Sequence, residues 1–218
     1  MAKESSEQLV RIRLDSVTLQ GVLAIPAGAP GVVLFAHGSG SSRHSPRNNY
    51  VAGVLREGGI GTLLFDLLTE EEDAVYETRF DIRLLTDRLT ATTRWVTAQP
   101  NTKKLKIGYF GASTGAAAAL EAAAVLGPTI GAVVSRGGRP DLAGPVLYRV
   151  KAPTLLIVGG NDDVVIKLNQ HAYDRLKAEK ELVIVPGATH LFEEPGTLEE
   201  VARLAAGWFT RHLGSKSA

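Results

Sequence analysis

Residues 8–14 alternate along the chain, with Leu9, Arg11 and Arg13 on one face and Val10, Ile12 and Leu14 on the other. After Asp15-Ser16 an apolar-rich stretch, Val17–Ile25, follows. Period-two patterning around a polar turn predicts an antiparallel hairpin. Val32–Ala36 and Ile60–Leu67 then run almost continuously apolar, as strands buried on both faces do. Between them Pro46 opens a helical pattern of Tyr50, Val51, Val54 and Leu55, which Gly58-Gly59 stops. Phe80, Leu84, Leu85, Leu89, Trp95 and Val96 mark a helix over 80–98, ended at Gln99-Pro100. A strand from Leu105 leads through a sharp turn at Ser113 into an Ala-rich helix to Leu126. Ile130–Ser135, Pro153–Val158 and Leu182–Val185 are further strands. One helix is marked by Val165, Leu168, Ala172 and Leu176, and the last by Val201, Leu204, Ala205, Trp208 and Phe209. Strands alternating with helices predict an α/β, doubly wound, mostly parallel sheet with helices on both faces. At 218 residues, with no repeat or low-complexity linker, residues 1–218 suit one domain.

Composition narrows the partners. The chain has 24 basic and 23 acidic residues, a net charge of +1, so no strong field favours nucleic acid or a membrane surface. A small neutral or weakly charged molecule is the expected partner. Without cysteine, disulfides, thiolate metal sites and a cysteine nucleophile are all removed. Met1–Gln8 is polar, with no apolar core of signal-peptide length, and no apolar run approaches ~18 residues; a cytoplasmic protein is expected. The acids of Glu70–Asp73 read as solvated surface, because consecutive carboxylates without a histidine or fixed turn rarely converge on one ion. No metal or cofactor is expected.

Gly111-Ala-Ser113-Thr-Gly115 fits G-x-S-x-G, in which small residues let a strained strand-to-helix turn hold the serine hydroxyl out at the sheet edge. Alone the pentapeptide also fits an ordinary Gly/Ser turn; the strand before and the helix after favour the elbow. A serine nucleophile needs a base, and the base an orienting partner. His190 follows a strand and the turn Pro186–Thr189, which places it at the same carboxyl edge as Ser113, where α/β sheets bind ligands. His171 and His212 lie in helices and read as structural, and His44 in a polar loop is a weaker rival. Asp162 and Asp163 leave the strand ending at Val158 at that edge. Only one of two adjacent carboxylates can face the histidine; Asp162 is chosen, with Asp163 expected to cap the following helix and Asp141 to be a turn residue beside Pro140.

The ordered set of Gly111–Gly115, Gly159-Gly-Asn-Asp162-Asp-Val-Val165 and Gly187-Ala-Thr-His190 resembles the α/β-hydrolase superfamily, most closely its small dienelactone-hydrolase-like members, over nearly the whole chain. The resemblance implies an eight-stranded sheet, Ser113 as nucleophile, His190 as base and Asp162 as orienting acid. It further implies an oxyanion hole from the N–H groups of Ser39, in the H-G-x-G match His37–Gly40, and Thr114; His37 itself is expected to brace the loop. True dienelactone hydrolases use a cysteine nucleophile, so a serine esterase acting on small carboxylic esters is implied here instead of dienelactone turnover. Residues 136–151 are too short for a cap domain, which argues for an open site and against a lipase. In the resembled topology Arg136 ends a strand beside that of Ser113. It either holds a substrate carboxylate or pairs with a protein carboxylate and braces its loop. A thioesterase or peptidase on the same residues, and a catalytically silent binding module, remain alternative readings.

Overall fold

In β3 (Gly31–Ala36), Val32 and Leu34 face one side of the sheet and Val33 and Phe35 the other, all at most 1% exposed. The strand is apolar without alternation because helices cover both faces. The computed structural model describes residues 7–214. The other strands are β1 (Gln8–Arg13), β2 (Thr18–Ala24), β4 (Gly61–Phe65), β5 (Lys106–Ala112), β6 (Ile130–Arg136), β7 (Thr154–Gly159) and β8 (Lys180–Val185). They form one eight-stranded sheet in the order β1-β2-β4-β3-β5-β6-β7-β8. The β1–β2 hairpin and the β2–β4 pairing are antiparallel, and every other pairing is parallel.

The helices are α1 (Pro46–Glu57), α2 (Glu70–Asp73), α3 (Ile82–Ala98), α4 (Thr114–Leu126), α5 (Asp163–Arg175) and α6 (Thr197–Leu213). Leu85 and Leu89 of α3, the alanines of α4 and Ala172 of α5 bury one face of the sheet. Val51 and Leu55 of α1 pack with Val201, Ala205 and Phe209 of α6 on the other. The connection leaving β3 thus crosses one face and that leaving β5 crosses the opposite face. Their carboxyl ends form the switch point at which such sheets open a crevice. Between β6 and β7 a 3-10 segment, Pro140–Arg149, buries Ala143 and Leu147 against the sheet, so no cap domain rises there. Among the described residues, no helix is long and apolar enough to cross a membrane.

One expectation fails and another holds only in part. The third helix starts at Ile82, not Phe80: Asp81 is its N-cap, accepting the Leu84 N–H at 3.0 Å, and Phe80 ends a separate 3-10 turn, Tyr76–Phe80. The acids at 70–73 form a helical turn, in which Glu70 and Glu71 are exposed as read while Glu72 and Asp73 are half-buried in ion pairs. Thr69 and Glu72 close a capping box, Glu72 pairs with Arg88 at 2.5 Å, and Asp73 pairs with Arg79 at 3.0 Å. Of the polar N-terminal stretch, residues 1–6 lie outside the described residues.

Candidate active site

β5 ends at Ala112 and α4 begins at Thr114, so Ser113 makes the turn alone, at φ +49° and ψ −121°. A non-glycine residue there is strained by ~1–3 kcal/mol and persists only where its surroundings over-determine it. They do: the Ser113 N–H donates to Arg136 O at 3.2 Å, and its carbonyl accepts from Ala116 at 3.1 Å and Arg139 at 3.0 Å. The glycines on either side are steric requirements. A Cβ on Gly111 would lie 2.5 Å from Ala116 Cα, and one on Gly115 2.2 Å from Ala36 O. Thr114, as the first residue of α4, has no intrahelical partner for its N–H.

The structure brings His190 and Asp162 together. Oδ2 of Asp162 lies 2.7 Å from Nδ1 of His190, with the two side chains 15% and 39% exposed. A carboxylate only accepts, so Nδ1 carries the proton and Nε2 presents a lone pair. The two loops are stitched to each other, Asn161 donating from its backbone to Ala188 O at 2.9 Å and from Nδ2 to Gly187 O at 3.0 Å. Glu194 clips the histidine loop further by accepting the Thr189 N–H and hydroxyl at 3.0 and 2.7 Å. Among the described residues the Ser113 hydroxyl forms no hydrogen bond to His190; free hydrolytic sites commonly tighten that contact only with substrate bound. Their surroundings meet at the end of β6: the Ser113 N–H is bonded to Arg136 O, and a Cβ on the next residue, Gly137, would lie 3.6 Å from His190 Cε1.

Asp163 does not cap α5. It is the first helical residue, while Asp162 holds the N-cap position and spends its carboxylate on His190 instead of a cap bond. Asp141 is more than a turn residue, since it makes a two-pronged ion pair with Arg139 at 2.9 and 2.8 Å. His171 is in α5 and His212 in the last turn of α6. His44 borders a cleft of about 260 Å³ with His37, Arg43, Asp66, Leu68 and Asp73. Among the described residues no cluster of three or more metal-ligating side chains occurs.

His37 braces the loop after β3. Its Nδ1 donates to Gly38 O at 3.0 Å, its Nε2 accepts the Leu67 N–H at 3.1 Å, and burial holds its pKa below the ordinary value. The Ser39 N–H is engaged: it donates to Thr114 Oγ1 at 3.0 Å. That hydroxyl, which sequence reasoning missed, joins the two candidate oxyanion residues side chain to backbone. Arg136 has no carboxylate partner among the described residues. It is 7% exposed, its Nε and Nη1 are buried without hydrogen-bond partners, and its guanidinium lies 5.9 Å from the Phe192 ring centroid. Burial, and then the nearby Arg47, push its pKa down to about 10.

An eight-stranded sheet of this order, with a serine on a strained strand-to-helix turn, defines an α/β hydrolase. Residues 19–211 match the Dienelactone hydrolase family, and the chain belongs to it. A crystal structure of a dienelactone hydrolase from Anabaena variabilis is 56% identical, with a TM-score of 0.95 over 96% of this chain and 99% of that one. Est1E from Butyrivibrio proteoclasticus, 15% identical, superposes with a TM-score of 0.82 over 95% and 99% of the two chains, a likeness of fold. A Mycobacterium tuberculosis protein provisionally designated a phosphoribosyl transferase is 58% identical over 207 residues, which are 95% of this chain and 47% of that protein. The chain thus spans about half the length of the curated relatives it matches.

Proposed function

We propose that the protein is a serine hydrolase of small carboxylic esters. The observation that carries the reading is the 2.7 Å contact of Asp162 with His190 Nδ1, on loops at the same sheet edge as the strained serine. Asp162 fixes the imidazole tautomer and stabilises the imidazolium that forms when Nε2 takes the Ser113 proton. Ser113 Oγ attacks the ester carbonyl, and the proton on Nε2 passes to the departing alkoxide to leave an acyl-enzyme. His190 then activates a water that releases the acid by the reverse sequence. The oxyanion accepts from the Thr114 N–H, and from the Ser39 N–H once it displaces the Thr114 hydroxyl from that donor. One such donor is worth ~3–4 kcal/mol of transition-state stabilisation. Arg136 is assigned to a substrate carboxylate. With a pKa of about 10 it stays charged at neutral pH, and buried donors without partners favour an anion that satisfies them.

The designation of the mycobacterial relatives supplies no transferase reading, because the chain aligns with about half their length and the gathered residues suit hydrolysis. Thioesters and activated amides meet the same groups, and matching them against the corresponding oxygen ester ranks the three. Turnover of p-nitrophenyl acetate by the wild type, with a loss of several orders of magnitude in Ser113→Ala, tests the proposal. Equal turnover in the variant overturns it.

A further inference from the structure

On the side of Ser113 away from His190 the chain displays an aromatic pair that the fold does not account for. The Tyr76 and Phe80 rings, in the 3-10 turn after α2, lie 5.1 Å apart. They are 66% and 45% exposed, and Val75 beside them is 50% exposed. Single exposed apolar side chains are ordinary; a contiguous cluster marks a binding surface. This one is braced. Arg79 donates from Nε to Asp73 O at 2.8 Å and from Nη2 to the Asp73 carboxylate at 3.0 Å, and the capping box fixes α2 just before it.

The turn is also joined to the oxyanion loop. The Ser39 N–H donates to Thr114 Oγ1 at 3.0 Å, and the two hydroxyls are 2.9 Å apart. Ser39 Oγ donates to Arg79 O at 3.1 Å. Since the Ser39 proton is committed to Arg79, the Thr114 hydroxyl donates to Ser39 Oγ, and the chain of donors runs one way. The accepting carbonyl belongs to the peptide that joins Arg79 to Phe80.

Strand order decides which half of an ester the turn meets. His190 must protonate the leaving oxygen, so the alcohol lies toward β7 and β8, whose loops carry Asp162 and His190. The carbonyl oxygen points to the loop after β3. The acyl group, the third substituent in the carbonyl plane, points away from the leaving alcohol and so away from β7 and β8, on the side of the sheet order where the turn after β4 lies. We propose that Tyr76 and Phe80, with Val75, form the acyl subsite and select apolar chains or aromatic acyl groups. This rests on the ester-hydrolase reading above. The adjacent cleft is a poor rival for such a chain, because the Arg43–Asp66 and Arg79–Asp73 ion pairs line or border it and would have to be desolvated.

The test compares p-nitrophenyl acetate, butyrate, octanoate and benzoate, which share one leaving group, on wild type, Tyr76→Ala, Phe80→Ala and Phe80→Leu. Both alanine sites are exposed, so folding is retained. Wild type should favour the longer or aromatic acyl groups over acetate by about tenfold in kcat/KM, the scale of added apolar contact in a pocket. Each alanine variant should lose most of that ratio, and Phe80→Leu should keep much of it. A wild-type preference for acetate, a ratio unchanged in both alanine variants, or an equal loss on every ester overturns the proposal. So does a dimer that both variants dissociate in sedimentation, which makes the patch a contact between copies. Fluorophosphonate labelling of the wild type separates the two levels: labelled Ser113 without acyl selectivity defeats the subsite alone, whereas no labelling defeats the hydrolase reading and the subsite with it.

Discussion

Replacing Gly115 by alanine sets the turn at Ser113 against the loop after β3. The added Cβ would lie 2.2 Å from Ala36 O, 2.5 Å from His37 O and 2.6 Å from the Ala36 carbonyl carbon. Attractive contact between heavy atoms begins at about 3.5 Å, so α4 and the end of β3 must part by roughly 1 Å. All three atoms are backbone, and no side chain can yield in their place. Overpacking costs typically ~1–3 kcal/mol, and more where backbone must move; a destabilisation of ~3 kcal/mol or more is expected. Gly207→Ala calibrates the measurement. Gly207 lies within α6 with nothing inside 4 Å of an added Cβ, and alanine there should stabilise by ~0.5–1 kcal/mol. Urea unfolding read by tryptophan fluorescence reports both. Because the displaced carbonyls lead directly into Gly38 and Ser39, the Gly115→Ala protein that stays folded should also turn over ester more slowly. Stability of Gly115→Ala within ~0.5 kcal/mol of wild type would refute the steric account of the elbow.

Asp162→Asn should lower kcat by about 10⁴-fold, since an amide there favours the wrong imidazole tautomer; greater damage from Asp163→Asn or Asp141→Asn would reassign the orienting carboxylate. For His37 the sign of the pH effect follows from burial, which lowers its pKa from 6.5. The unfolded chain takes up the proton near 6.5 while the folded chain resists it, so this contribution is complete above 6.5 and is lost as pH falls below it, at up to ~1.4 kcal/mol per pH unit. His37→Gln should flatten that slope in urea titrations from pH 7 to 5, leaving the share of His212, whose pKa burial also lowers; an unchanged slope contradicts the assignment. Arg136→Ala should reduce kcat/KM selectively for a carboxylate-bearing ester relative to its neutral analogue, whereas equal losses, or a lower Tm with unchanged preference, would make Arg136 scaffold.

What was legible in the sequence is what rests on periodicity and order along the chain. The hairpin, the doubly buried strands and the pairing of Asp162 with His190 all followed from which segments alternate and which loops share a sheet edge. What was not legible depends on partners distant in sequence. Apolar spacing places Phe80 in register with Leu84, yet spacing cannot show that Phe80 is exposed; the aspartate at 81, directly before the helix, was the available signal for its start. Thr69-Glu-Glu-Glu72 carries the capping-box pattern, but the arginines that pair with Asp73 and Glu72 arrive from 79 and 88. Asp162 occupies an N-cap position without capping, because a histidine 28 residues later claims its carboxylate. Nothing local foretells that the Thr114 hydroxyl meets the Ser39 N–H across 75 residues, or that Arg136 has no carboxylate partner among the described residues.

That Ser113 is the nucleophile, activated through His190 and Asp162, is tested most directly by a fluorophosphonate probe followed by peptide mapping of the adduct. A single adduct on Ser113 is expected, absent from Ser113→Ala and formed far more slowly in His190→Ala and Asp162→Asn. An adduct on another residue, or undiminished labelling of Ser113→Ala, would contradict it.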